Sequence, residues 1–114
     1  MTYRVTILPL AKRQLLDQAL WWSENRSEEQ AFRWLEGFEL ALGSLAYDPD
    51  RCCIARENDA FNIVIRELHY GLGNKATHRA VFEVRNDEVI VYSVRHLAQR
   101  DLTPDDLQEQ NRQT

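Results

Sequence analysis

Hydrophobic and polar positions alternate with a period of two near both ends of the chain and recur with a helical period between them. YRVTIL at residues 3–8 alternates well enough for a short strand. Pro9 follows it and suits the first turn of a helix, where its missing N–H would be unpaired anyway. Ala11, Leu15, Ala19 and Trp22 then recur at helical spacing, with Leu16 and Leu20 beside them and Lys12, Arg13, Asp17 and Gln18 on the polar side, which predicts a helix over Pro9–Asn25. Asn25-Arg26-Ser27 breaks the pattern, and Ser27 with Gln30 forms a capping box that starts a second helix over residues 27–47. Its stripe is Ala31, Trp34, Leu35, Phe38, Leu42 and Leu45, and it ends before Asp48-Pro49 because a residue preceding proline is pushed out of the helical region. So short a turn makes the two helices antiparallel neighbours, whose apolar stripes need a sheet to cover them.

Residues 48–60 show no sustained period and are expected to be a loop. FNIVIREL at 61–68 reads as a strand, with Phe61, Ile63 and Ile65 on one face. Residues 69–75, HYGLGNK, read as a glycine-containing loop. Two β-rich runs then flank Asn86-Asp87, the signature of a two-residue hairpin turn. A uniform register from that turn puts Val84 with Val89, Phe82 with Val91 and Ala80 with Ser93 on a core face. The other face receives Glu83 with Ile90, Val81 with Tyr92, Arg79 with Val94, and Thr77 opposite His96. A three-residue loop would shift this pairing by one. Past the last strand, Thr103-Pro104 caps a short terminal helix with Asp105 and Asp106 in its first turn. The expected fold class is α+β in the order β-α-α-β-β-β: a strand, a helical hairpin, and a three-stranded antiparallel meander. Together these make one four-stranded, mainly antiparallel sheet with the helices on one face.

The 114 residues suffice for one domain spanning 1–114. No apolar run approaches the roughly 20 residues of a membrane span, and the N-terminus lacks a signal-peptide pattern, so a cytoplasmic protein without a membrane partner is expected. A net charge of −4 argues against broad attraction to nucleic acid. The segment between Lys75 and Arg100 is nonetheless locally basic through Lys75, Arg79, Arg85, Arg95 and Arg100. Cys52 and Cys53 are adjacent, where a disulfide would be strained. They lack the spacing from which zinc sites draw cysteine pairs, so neither His69 nor His78 is expected to join them around a metal, and no cofactor is expected. Arg79, Tyr92 and His96 are the chemistry-bearing residues on the second hairpin face. An arginine on an outer sheet face is also commonly solvated or paired with a neighbour such as Glu83.

With its closing strands reading HRAVFEV…DEVIVYSVRH…RDL and its opening strand followed by Pro9 and a helical hairpin, the chain resembles the RelE/ParE superfamily of bacterial toxins from toxin–antitoxin modules. The resemblance runs from Tyr3 to about Leu102. It implies a toxin bound by a cognate, co-encoded antitoxin, self-association into a homo-oligomer being compatible with it. In the RelE-like branch it implies ribosome-dependent cleavage of mRNA, with Arg79 at a catalytic position and His96 and Tyr92 beside it. In the ParE-like branch it implies poisoning of DNA gyrase without a cofactor. The reduction of the lysine-rich segment to Lys75 and the H-x-x-x-R-D-L ending look more like ParE. Arg66, Arg95, Arg100, Asp101 and Leu102 are then the expected target-binding residues. A remnant that binds its antitoxin and poisons nothing is a third expectation.

Overall fold

A computed structural model describes residues 2–112. Strand β1 (Arg4–Ile7) leads into helices α1 (Pro9–Asn25) and α2 (Glu28–Gly43), followed by β2 (Cys53–Ile54), β3 (Arg66–Tyr70), β4 (His78–Arg85), β5 (Glu88–His96) and α3 (Pro104–Arg112). The five strands form one sheet in the order β1-β5-β4-β3-β2, in which β1 runs parallel to β5 and the other neighbours are antiparallel.

Helix α1 forms where the apolar spacing predicts it; α2 starts as predicted but ends at Gly43, short of the expected residue 47, and Ser44, whose hydroxyl donates to the Ala41 carbonyl at 2.6 Å, opens a 3-10 turn over Ser44–Ala46 that carries Leu45 into the core. Pro9 occupies the first turn of α1, and the Ser27 hydroxyl accepts the Gln30 N–H at 3.0 Å at the start of α2. Their stripes close one face of the sheet: Ala11, Leu15, Trp34, Phe38, Leu42 and Leu45 pack on Ala80, Phe82, Val89, Val91 and Val94. Phe38 stacks on Tyr70 with ring centroids 4.5 Å apart. A side chain at Gly37 would collide with the Tyr70 hydroxyl, which donates to the Trp34 carbonyl at 3.1 Å. Truncation of Phe38 or Trp34 to Ala would cost about 3–5 kcal/mol.

Two expected elements besides the end of α2 differ. The sheet has five strands, because Cys53–Ile54 pairs with Arg66 and Glu67 at its edge where a loop was expected. The segment at 61–68 becomes a strand only at Arg66, and His69 and Tyr70, expected in a loop, extend it. Before that point the Asn58 side chain accepts the Ile65 N–H at 2.8 Å, which holds residues 58–65 in a short 3-10 turn and bends over the sheet. Phe61, Ile63 and Ile65 do share an environment: with Ala55, Val81 and Leu102 they build a small second core on the face away from the helices. The chain therefore covers both sheet faces.

The hairpin turn is the two-residue Asn86-Asp87 loop, with Asn86 at a positive φ of 57°, the left-handed region Asn tolerates best after Gly. From Arg85↔Glu88 to Phe82↔Val91 the register is the uniform one. A β-bulge at Val81/Phe82 then inserts Tyr92 as an unmatched residue, and the pairs beyond it become Val81↔Ser93, Ala80↔Val94, Arg79↔Arg95 and His78↔His96. Val94 is thereby moved to the helix face, where it joins the main core, and His96 is placed beside His78 and not on the Arg79 face. The bulge coincides with the end of β1. Beyond Ile7 the free edge of β5 is taken over by a side chain of α1, for Gln14 Oε1 accepts the Val94 N–H at 2.8 Å and the Ser93 hydroxyl at 2.9 Å.

Candidate functional site

Arg79 lies in the middle of β4 on the face away from the helices, and it is fully buried. Its two terminal nitrogens grip Glu57 in a two-pronged contact, Nη1 to Oε1 at 2.7 Å and Nη2 to Oε2 at 2.5 Å, and Nη1 also reaches Glu67 Oε2 at 2.7 Å. Its Nε is buried without a partner. Burial alone would push the Glu57 carboxyl up, but hydrogen bonds from Arg79 and from the Leu102 N–H at 2.8 Å outweigh it and hold the group at about 2. The guanidinium is thus committed to two carboxylates inside the protein, where an uncompensated charge would be costly.

The other expected catalytic residues do not converge on it. Tyr92 donates to Glu83 Oε1 at 2.7 Å; burial, reinforced by that hydrogen bond, pushes its hydroxyl up to about 12, so it stays a neutral donor. His96 is on the opposite face, its ring 5.0 Å from that of His78. There it borders a cavity of about 460 Å³ lined by Gln18, Trp21, Trp22, Arg26, Thr77 and His78. Burial, with the neighbouring His96 adding to it, lowers the His78 pKa to about 4. A neutral His78 satisfies both its ring contacts, accepting from Thr77 Oγ1 at Nδ1 (2.8 Å) and donating from Nε2 to Gln18 Oε1 (3.0 Å). His96 Nδ1 accepts the Ala98 N–H at 3.0 Å, which leaves the proton of its neutral form on Nε2. Among the described residues no carboxylate is bonded to either imidazole.

The segment after β5 is folded back and fastened. Arg56 donates to the Leu97 carbonyl at 3.0 Å, the Gln99 carbonyl at 2.7 Å and Asp101 Oδ1 at 2.7 Å. Arg95 is buried and donates to the Arg100 carbonyl at 2.6 Å, while Leu102 is buried in the second core. Arg100 forms a two-pronged exposed pair with Asp106, whose carboxyl that contact holds at about 2 against the opposing effect of burial. His96, Ala98, Gln99, Arg100 and Asp101 remain exposed on this turn. Arg66, on β3 between β4 and the edge strand β2, donates to the Cys52 carbonyl at 2.7 Å and lies 3.6 Å from Asp50. Of the expected target-binding residues, then, Arg100 and Asp101 are exposed together, Arg95 and Leu102 face inward, and Arg66 is elsewhere. Sequence reasoning did not single out Glu57, Glu67 or Arg56. Their only signal was being charged residues in or beside apolar segments.

A helical hairpin on a five-stranded sheet, with the Arg79 guanidinium paired internally to Glu57 and Glu67, defines a small α+β domain in which Arg79, Tyr92 and His96 do not come together. The chain belongs to the ParE toxin family, described as "ParE toxin of type II toxin-antitoxin system, parDE", whose sequence profile matches residues 5–101, and it is the toxin component of such a system. The fold is similar to a chain of a solved structure titled "Chromosomal ParDE TA system from P. aeruginosa", with a TM-score of 0.66 and 13% identity, covering 83% of this chain and 96% of that one. No curated protein matches.

Proposed function

We propose that this toxin inhibits DNA gyrase by binding it, and that a co-encoded antitoxin neutralises the toxin by covering apolar side chains of the helical hairpin. The observation that carries the first part is the burial of Arg79 between Glu57 and Glu67. Cleavage of RNA at this position needs a cation free to meet a phosphate and a proton-transfer group on the same side. Arg79 instead has both terminal nitrogens held by two carboxylates, and His96 is on the other face of the sheet. Inhibition by contact requires neither. The exposed turn with Gln99, Arg100 and Asp101 is the contact surface this reading favours, together with His96 at its base. The second part is supported by Leu16 and Leu20, one turn apart on α1 and 59% and 56% exposed, with Trp21 beside them. Exposed apolar side chains grouped on one helix face suit a partner's apolar segment.

The test is to add purified protein to gyrase supercoiling reactions and, in parallel, to ribosomes translating a defined mRNA. Inhibited supercoiling with intact mRNA is expected, and the inhibition should weaken when Arg100 and Asp101 are replaced by Ala. Cut mRNA with unaffected supercoiling would establish the RelE-like reading in its place. Neither effect, with antitoxin binding retained, would identify a non-toxic remnant.

A further inference from the structure

We propose that Cys53, Glu67 and His69 form a binding site for a single zinc-like divalent cation at the β2–β3 edge of the sheet. Adjacency of the two cysteines hides this site in the sequence. In extended backbone, neighbouring residues point to opposite faces, so Cys52 enters the main core while Cys53 is exposed on the other side. Cys53 is the direct cross-strand partner of Glu67, and His69 follows Glu67 by two residues on the same strand. One thiol, one carboxylate and one imidazole consequently share a face, with their ligand atoms all within 4.8 Å of one another. Around a tetrahedral zinc, with bonds of about 2.0–2.3 Å, ligand atoms stand roughly 3.3–3.6 Å apart. Cys53 and His69 are exposed, so rotation of their side chains is the movement by which the site would close on an ion.

The surroundings suit a dication. Glu67 Oε2 is already fixed by Arg79 at 2.7 Å, while Oε1 is turned toward His69 Nε2 at 3.0 Å. Arg79 thus orients the carboxylate in the way an outer hydrogen bond orients a metal ligand. Arg79 shares its charge between Glu57 and Glu67 through separate contacts, and of the Glu67 oxygens only Oε2 is taken up by it, which leaves Oε1 to face a cation. A Cys53 thiol that gives up its proton on binding would bring a negative sulfur directly onto the cation. Three protein donors, two of them exposed, leave the fourth position to water and describe an open site, not a closed structural one. The donor set of sulfur, nitrogen and carboxylate oxygen selects zinc or cobalt over magnesium and calcium, which take oxygen ligands.

This inference is independent of the gyrase reading, and its test involves no toxicity. The full chain, freed of metal by a chelator and kept reduced, is titrated with Co²⁺ alone and then with Zn²⁺ alone. One equivalent of Co²⁺ should produce a thiolate-to-metal charge-transfer band in the near ultraviolet, and Zn²⁺ should displace it and raise the melting temperature. Cys53→Ser should abolish the band, and His69→Ala should weaken Zn²⁺ binding at least about tenfold. Both positions are exposed, so both variants should melt like the wild type in the absence of metal. A wild-type protein that gives no band, or a band that survives Cys53→Ser, would overturn the proposal.

Discussion

Glu57 and Arg79 face each other across two parallel hydrogen bonds inside the protein, although 22 residues separate them in sequence. The contact draws residues 55–65 over the sheet. Through the second oxygen of Glu57, which also accepts the Leu102 N–H, it holds the end of the C-terminal turn as well. Removing one partner of such a pair leaves the other charged and buried. Glu57→Ala should therefore destabilise the protein by about 3–5 kcal/mol in urea unfolding. Arg79→Ala should do the same, so loss of toxicity in that variant has to be compared with its unfolding curve before a catalytic role is assigned.

Acid should weaken the protein over two overlapping pH windows. The His78 pKa falls from an ordinary 6.5 to about 4 on folding, so the folded state binds fewer protons and stability declines as pH drops from 6.5 toward 4. The Glu57 carboxyl falls from 4.5 to about 2, and its contribution, complete above 4.5, is lost as pH drops toward 2. Each shift corresponds to about 3 kcal/mol. Denaturant midpoints measured from pH 7 to pH 3 should show this decline, and His78→Gln should flatten its upper part while leaving the lower part in place.

Gln14 closes the edge of β5 where β1 has ended. Gln14→Ala removes the acceptor of both the Val94 N–H and the Ser93 hydroxyl, at an expected cost of about 1–3 kcal/mol. Hydrogen exchange reads this directly. The Val94 amide should lose protection in the variant, whereas the Val89 amide, on the part of β5 paired with β1, should keep it.

Leu16 and Leu20 contribute little to the fold from their exposed positions on α1. Leu16→Glu with Leu20→Glu should leave the melting temperature within a few degrees of the wild type, as surface substitutions usually do. The same double variant should bind the co-encoded antitoxin at least about tenfold more weakly, the loss of roughly 1.4 kcal/mol measured by calorimetry. Unchanged affinity would move the antitoxin to another surface.

What the amino-acid sequence determined by itself was local: α1 to the residue at both ends, the Ser27 cap, the apolar stripes, the Asn86-Asp87 turn and the cap of α3 at Thr103-Pro104. Each follows from the periodicity of a few neighbouring residues or from the backbone preference of one. The family resemblance was legible too, in the closing strands, and the ParE assignment agrees with it. The candidate site was not, because its geometry depends on residues distant in sequence. A uniform register extended from the turn put His96 on the Arg79 face, and a single bulge at Tyr92 sent it to the other. Arg79 read as an outer-face cation until Glu57 and Glu67 were brought to it from two other segments, and Cys53 read as one of two adjacent thiols without metal-site spacing until β2 paired with β3. Alternation records which neighbours share a face. It carries no information about which remote segment will fold over that face, and here only the tertiary structure, by burying a charge that had to be paired, decided it.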